Sequence, residues 1–511
     1  MNPVELGLFV GRMQAACDEM GATLRRAAFS PNIKDRLDFS CAIFSAQGEL
    51  AAQAAHIPVH LGSMAFAMQA IVRGITWRPG DMIVVNDPFL GGTHLPDVTL
   101  IAPLFVDDRL AAFCANRAHH ADIGGTAPGS MPLSRTLADE GLILSPRLYL
   151  SAGLPDPDTR VALEQGLRHP EATLGDFAAQ VSANRIGLER LRALVTRMGM
   201  AAFESGLAAL DEYAERLARQ TIADLPDGEY RFVDYMDGDG LGAEQVPIRL
   251  ALTVTDDRAI LDFTGTAPQV GGNINCPLAV TAAAAFYAFH ALMPPRTPPC
   301  AGALGVLELI VPRGSLLNAE APAAVAAGNV ETSQRIVDVV LGALAQAIPD
   351  RVPAASQGTM NNVAMGGPGW DYYETIAGGT GGHARGPGCA AVHSHMTNTL
   401  NTPVEVLEMN YPVRIRRYAV RTASGGAGQH PGGDGIVREY EFLAPAAVTL
   451  LSERRSFAPW GLHGGHPGTP GRNRLNDADI AGKCMLTVAV GDRLLIETPG
   501  GGGWGEVESR T

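Results

Sequence analysis

The chain has 511 residues, a formal net charge of −14 at pH 7, 46% hydrophobic residues and 18% charged residues. That length exceeds what one hydrophobic core usually absorbs, and the apolar content excludes a disordered chain. The acidic balance has no basic stripe to offset it, which excludes a nucleic-acid-binding role; the short runs "RIRR" (414–417) and "ERR" (453–455) read as solvated surface.

From the N-terminus, Leu6, Phe9, Val10, Met13 and Cys17 fall at helical spacing, and an acid comes early, so the opening reads as an amphipathic helix and not as a secretory leader. Residues 38–52 alternate around a "QGE" turn, which predicts a hairpin. Helical spacing returns over 61–75. Strands are predicted at 82–86, 98–106 and 110–117, the last two joined by the tight "VDDRL" turn. A sustained 3.6-residue period then runs from 159 to 222. Beyond "LPDGEY" the pattern changes to strands (229–265), followed by an Ala-rich helix (278–293) too short to span a membrane, and a further helix over 331–348. The remainder, 350–511, reads as short strands and Gly-rich loops, in a chain with 59 glycines. The expected fold is α+β: a large multi-subdomain protein with mixed sheets, a central helical segment and Gly-rich loops. A boundary is placed at 222/223, dividing an N-terminal α+β region (1–222) from a strand-rich C-terminal region (223–511). Seven scattered cysteines without a CxxC pair fit free thiols in a reducing cytosol, so a cytoplasmic location is expected.

Two segments concentrate metal-ligating chemistry. "NDPFLGGTHLPDVTL" (86–100) holds His94 and Asp97 three apart around a stiffening proline, and "ANRAHHADIGG" (115–125) adds His119, His120 and Asp122. A catalytic divalent metal takes about three protein ligands from imidazole and carboxylate and keeps one position open. The bland alternative is that these histidines hydrogen-bond local backbone; so many ligand types between 94 and 122 favour a metal. "DIGGT" (122–126) matches a phosphate-gripping turn of actin-like ATPases, but the prolines that follow cannot form the second strand such a turn needs. "AGKC" (481–484) lacks the rest of a phosphate loop, so ATP binding by this chain is not expected. His56 and His60, around a proline in "HIPVH", read as loop hydrogen-bonders or pocket walls. His383, His393 and His395 read as pocket lining or backbone support, with a second metal as the alternative, and His463 and His466 as structural. No Gly-x-Ser-x-Gly elbow or local Cys–His pair supports nucleophilic catalysis.

The segments "DFSCAIFSAQGEL", "HIPVHLGSM", "NDPFLGGTHLPDVTL", "ANRAHHADIGG", "GDFAAQVSANRIG" and "VHSHMTNTLNTPVEVLE" occur in an order that resembles the hydantoinase B/oxoprolinase family over nearly the whole chain. The resemblance implies one subunit of an ATP-dependent hetero-oligomer that opens cyclic amides such as hydantoins, 5-oxoproline or lactams. A hydantoinase A-type partner would use the ATP and phosphorylate the substrate carbonyl. It also implies a divalent metal, zinc first and manganese, iron or cobalt as alternatives, held by His94, Asp97 and His119. By the same matching Asp38 is a fourth ligand or a general base, and His120 and Asp122 assist catalysis by orienting the ligands. Relatives carboxylate acetone or acetophenone, so a ketone-carboxylase subunit is the alternative function, which the shorter length of this chain disfavours. A scaffold with a structural metal is the third reading.

Overall fold

The structure, a computed structural model, describes residues 1–54, 57–295 and 297–507. Helix α1 (Pro3–Ala27) begins at a capping box, with Asn2 and Glu5 each accepting the other's backbone N–H at 2.9 Å. It buries the predicted face, including Phe9, Met13, Cys17 and Met20. A single turn, α2 (Pro31–Lys34), leads into β1 (Phe39–Ser45) and β2 (Leu50–Gln53), the predicted hairpin. Helix α3 (Pro58–Gly74) starts at Pro58 and not at 61, because proline's fixed φ suits the first helical position. That earlier start carries His60 out of the expected loop and into the first turn of a helix.

Strands β3 (Met82–Val85), β4 (Asp97–Val106) and β5 (Arg109–His119) follow as predicted. After a one-turn α4 (Leu137–Glu140) come β6 (Arg147–Ser151) and β7 (Leu154–Pro155). The seven strands form one sheet in the order β2-β1-β5-β4-β3-β6-β7, antiparallel throughout. Its central strands are buried on both faces. Ala42, Phe44, Ile101 and Phe113 pack toward Met64 and Met68 of α3. The alternate positions Val98, Leu100 and Ala102 pack toward Phe177 and Val181 on the other side.

The helical stretch expected over 159–222 is three helices: α5 (Pro157–Gly166), α6 (Pro170–Met198) and α7 (Met200–Ala223). Pro170 restarts the chain at the first position of α6, and Gly199, at φ +83°, breaks α6 from α7 in a conformation that favours glycine. The next sheet holds β8 (Gly228–Gly238), β9 (Glu244–Thr255) and β10 (Arg258–Asp262). Helix α8 (Leu278–His290) and the short α9 (Ala301–Leu304) precede its last strand, β11 (Leu307–Ile310), which pairs parallel to β10 and makes the sheet mixed. A π-turn (Gly328–Thr332) feeds the buried helix α10 (Ser333–Ala347). The largest apolar cluster runs from Phe9 to Leu451 and passes across the expected 222/223 boundary, which falls near the end of α7.

The C-terminal part is strand-rich: β12 (Asn362–Gly367), β13 (Trp370–Glu374), helix α11 (Val404–Asn410), then β14 (Val413–Arg421), β15 (Gly435–Phe442), β16 (Ala446–Leu451), β17 (Arg472–Leu475), β18 (Ala478–Ile480), β19 (Lys483–Val488) and β20 (Arg493–Glu497). They make two antiparallel sheets, β13-β12-β16-β19 and β14-β15-β20-β17-β18. Glycine-rich segments near 380, 430, 465 and 500 stack backbone on backbone. A Cβ on Gly379 would stand 1.8 Å from the Gly433 oxygen, and one on Gly501 would stand 2.0 Å from the Thr380 oxygen, so only glycine fits. Much of the high glycine count is this bundle. No described helix is long and apolar enough to cross a membrane.

Candidate metal centre

Strand order builds the site. In the run β1-β5-β4, Asp97 opens β4 directly opposite His119 at the end of β5, and the His119 N–H donates to the Asp38 carbonyl just before β1 at 3.0 Å. Asp38, His119 and Asp97 therefore stand in a row at one end of the sheet. His94 joins from the preceding turn, closed by the Asp97 N–H donating to the His94 carbonyl at 3.1 Å. Gly92 belongs there for space, since a Cβ would lie 2.2 Å from the Asn86 oxygen.

Ligating atoms of His94, Asp97 and His119 all lie within 4.8 Å of one another. Asp97 Oδ1 is 3.3 Å from His94 Nε2 and 3.3 Å from His119 Nδ1. Asp97 Oδ2 faces the other way and receives the donors: Thr93 Oγ1 at 2.6 Å, Asn329 Nδ2 at 3.2 Å and His60 Nε2 at 3.2 Å. Ser40 Oγ already accepts the Ile57 N–H at 3.2 Å, so its own proton is free for His60 Nδ1, 3.3 Å away. That leaves the His60 proton on Nε2, pointed at Asp97.

Burial alone would raise the Asp97 pKa, but the adjacent His94 and His60, with the hydrogen bond from His60, hold it well below the usual carboxylate range. Burial lowers the pKa of His119, which favours its neutral imidazole. Asp97 Oδ1, both ring nitrogens of His94 and His119 Nε2 are buried without hydrogen-bond partners. Unsatisfied buried polar atoms are costly, and their concentration in three residues, with His94 Nε2 facing Asp97 Oδ1 at 3.3 Å, demands an explanation. Two imidazoles and a carboxylate are the donor set of a divalent metal, so the residues present fit one. Beside them is a cavity of about 20 Å³, lined by Asp38, His60, Asp97, His119, Asn329 and Tyr373. That is room for one water.

The family model for hydantoinase B/oxoprolinase matches residues 2–507. The chain belongs to the hydantoinase B/oxoprolinase family. It is 39% identical to 5-oxoprolinase 1 of Arabidopsis thaliana over 98% of this chain, yet it spans only 42% of that protein's length. Among solved structures it is similar to the ATP-dependent caprolactamase of Pseudomonas jessenii, with a TM-score of 0.92 and 28% identity, covering 99% of this chain and 91% of the other. Nucleotide-free acetone carboxylase shares the fold, with a TM-score of 0.90 at 17% identity over 99% of this chain and 76% of that one.

In this hydantoinase B-type chain the other expected site residues sit in different places. Asp38 lines the cavity, with Oδ2 3.6 Å from Arg36 Nη2 and 4.0 Å from His119 Nδ1, beyond hydrogen-bond reach of the imidazole. His120 follows His119 but binds Gln180 Oε1 at 3.0 Å and lies against Phe177, because successive residues leaving a strand face opposite sides. Burial lowers its pKa. Asp122 accepts the Gly124 N–H at 2.8 Å and the His169 N–H at 2.7 Å, which ties its turn to the start of α6. Neither His120 nor Asp122 joins the three-residue cluster.

His60, Asn329 and Tyr373 are the neighbours that sequence reasoning did not assign to the site. His60 reads in "HIPVH" as a loop hydrogen-bonder or pocket wall, and it does line the cavity, but from a helix that aims its Nε2 at Asp97. Asn329 lies 232 positions from Asp97 in a π-turn, and Tyr373 stacks on His119 at 4.6 Å; neither carries a local signal. His393 is half-buried, its pKa pushed down to about 4 by burial and the Arg36 charge, and His395 lies 3.9 Å from Asp338. His383 accepts the Arg385 N–H at 3.1 Å, and His463 packs on Trp504. His56 lies outside the described residues. All seven cysteines are free.

Proposed function

We propose that this chain is the hydrolytic, metal-dependent component of an ATP-dependent cyclic-amide hydrolase, acting on a carbonyl that a hydantoinase A-type partner phosphorylates. The observation that carries this reading is the convergence of His94, Asp97 and His119, with His94 Nε2, Asp97 Oδ1 and His119 Nε2 buried without hydrogen-bond partners. Likeness to a caprolactamase and to 5-oxoprolinases supports the substrate class. A divalent cation held by these three residues, zinc first and manganese, iron or cobalt otherwise, would bring the pKa of a water in the cavity toward ~7.

The chain's own residues do the rest. Thr93, Asn329 and His60 saturate Asp97 Oδ2 and so turn Oδ1 toward His94 and His119. Ile57, Val59, Val330 and Met360 wall the cavity against bulk water. Asp38 is placed to accept a proton from the attacking water. The water oxygen bonds to the amide carbon, Asp38 passes the proton it takes to the nitrogen, and the C–N bond breaks to leave an amine and an acyl phosphate, which a second water hydrolyses to the acid and inorganic phosphate. Phosphorylation of the carbonyl oxygen by the partner removes amide resonance beforehand. A cavity of about 20 Å³ admits no lactam ring, so the wall formed by Met396, Thr397 and Thr399 must move for substrate to enter.

The test is turnover by the purified chain with its A-type partner on 5-oxoproline, hydantoin and caprolactam, with and without ATP. ATP-dependent ring opening of one of them is expected. Product formation that requires bicarbonate and consumes a ketone would replace this reading with the carboxylase.

A further inference from the structure

Asn329 presents an acceptor that no described residue uses. Its side chain is 2% exposed and lines the cavity beside Asp97 and His119. Only the amide nitrogen can face the Asp97 carboxylate, and Nδ2 does so at 3.2 Å, which fixes the orientation of the group. Oδ1 then points elsewhere, buried and without a hydrogen-bond partner. The π-turn Gly328–Thr332 sets this position, and such bulges mark functional sites because they re-aim a side chain that a regular helix would misplace.

Holding Asp97 does not explain the residue, since Thr93 and His60 already donate to the same oxygen. The cavity's volume of about 20 Å³ selects a ligand of one water, and a water has two protons to donate. Among the residues that line the space, Asp38 offers a carboxylate and Asn329 an Oδ1 that has no hydrogen-bond partner.

We propose that Asn329 is a positioning residue for the attacking water: Oδ1 accepts one O–H while Asp38 accepts the other. With one proton pinned on the neutral amide, the proton that leaves is the one on Asp38, and the oxygen lone pair is turned toward the amide carbon. Asn329 takes no proton itself, so the step balances: the new C–O bond forms as the C=N π bond of the phosphorylated substrate breaks, its electron pair goes to nitrogen, and one water proton goes to Asp38. This rests on the reading of the site as hydrolytic.

Two variants separate the roles. Asn329→Leu removes the acceptor at similar volume. Asn329→Asp keeps it, because a carboxyl next to Asp97 holds a proton, donates it to Asp97 and leaves its carbonyl oxygen facing the cavity. Each variant is titrated with Co(II), followed by its visible absorption, and then assayed at saturating metal with the A-type partner and 5-oxoproline, hydantoin and caprolactam. Asn329→Leu is expected to bind Co(II) within about 10-fold of wild type, since two donors to Asp97 remain, yet to lose about 10- to 100-fold in kcat with KM unchanged. Asn329→Asp should recover kcat to within about 5-fold of wild type. Equal kcat in wild type and the leucine variant, or a loss that vanishes when metal is saturating, would overturn the proposal while leaving the metal site intact. A wild-type chain that binds no Co(II), or turns over none of the amides, would overturn the hydrolytic reading and this proposal with it.

Discussion

Asp97 does two jobs with its two oxygens. Oδ2 takes hydrogen bonds from Thr93, Asn329 and His60, and this leaves Oδ1 free between two imidazoles. His60 contributes an N–H that fixes the carboxylate, so removing it should loosen the site without abolishing it. Replacement His60→Phe is expected to weaken zinc or manganese binding by about 10- to 100-fold, read by competition with a chromophoric chelator. Unchanged affinity would show that Thr93 and Asn329 suffice. Asp38 tests differently. It lies outside the trio whose ligating atoms cluster within 4.8 Å, so Asp38→Asn is expected to keep the metal and lose about 10²- to 10⁴-fold in kcat. Loss of metal in that variant would make Asp38 a ligand and not a base.

At the level of elements, the hydrophobic periodicity predicted β3, β4, β5 and their hairpin almost to the residue, because alternation and a tight turn are local properties. The pairing of Asp97 with His119 follows from that hairpin, so three of the converging residues were legible. What was not legible came from elsewhere in the chain. A helix start set by Pro58 turned His60 inward, and a π-turn more than two hundred residues downstream delivered Asn329. Neither has a spacing that a one-dimensional pattern reports. His120 shows the converse: its adjacency to His119 suggested a shared site, yet the strand's alternation sends it to Gln180.

The π-turn carries a further consequence. Burial pushes the Glu331 carboxyl up to about 8, while its Oε1 accepts from the Met360 N–H at 2.9 Å and Asn362 Nδ2 at 2.6 Å. A folded-state pKa above the unfolded value of roughly 4.3 means that wild-type stability falls as pH rises from there toward about 8. Glu331→Gln does not titrate. Its melting temperature should match wild type near pH ~4.5 and exceed it by a few degrees near pH ~8. An offset independent of pH would contradict the assignment of a protonated acid there.

For the whole molecule, the glycine bundle and the metal centre place different demands on the same chain. The bundle leaves no volume for side chains: a Cβ on Gly433 would stand 1.9 Å from the Cys389 oxygen. Gly433→Ala is therefore expected to cost roughly 3 kcal/mol or more and to lower the melting temperature, with metal content per folded chain unchanged. A neutral effect would mean that the stacked segments can part. Composition announced many close backbone approaches, but not that they stack on one another, because contacts among loops have no period. The candidate metal centre by contrast sits at the end of a sheet buried on both faces, where strands β4 and β5 hold Asp97 and His119 and the turn before β4 holds His94.

The measurement that reaches furthest is the metal content of the purified chain, by inductively coupled plasma mass spectrometry, beside a His94→Ala/His119→Ala variant, after purification with zinc or manganese supplied. About one divalent ion per wild-type chain, lost in a variant that keeps its circular dichroism spectrum, is the expected result for a three-ligand site. Metal retained by the folded variant, or absent from the wild type, would contradict it.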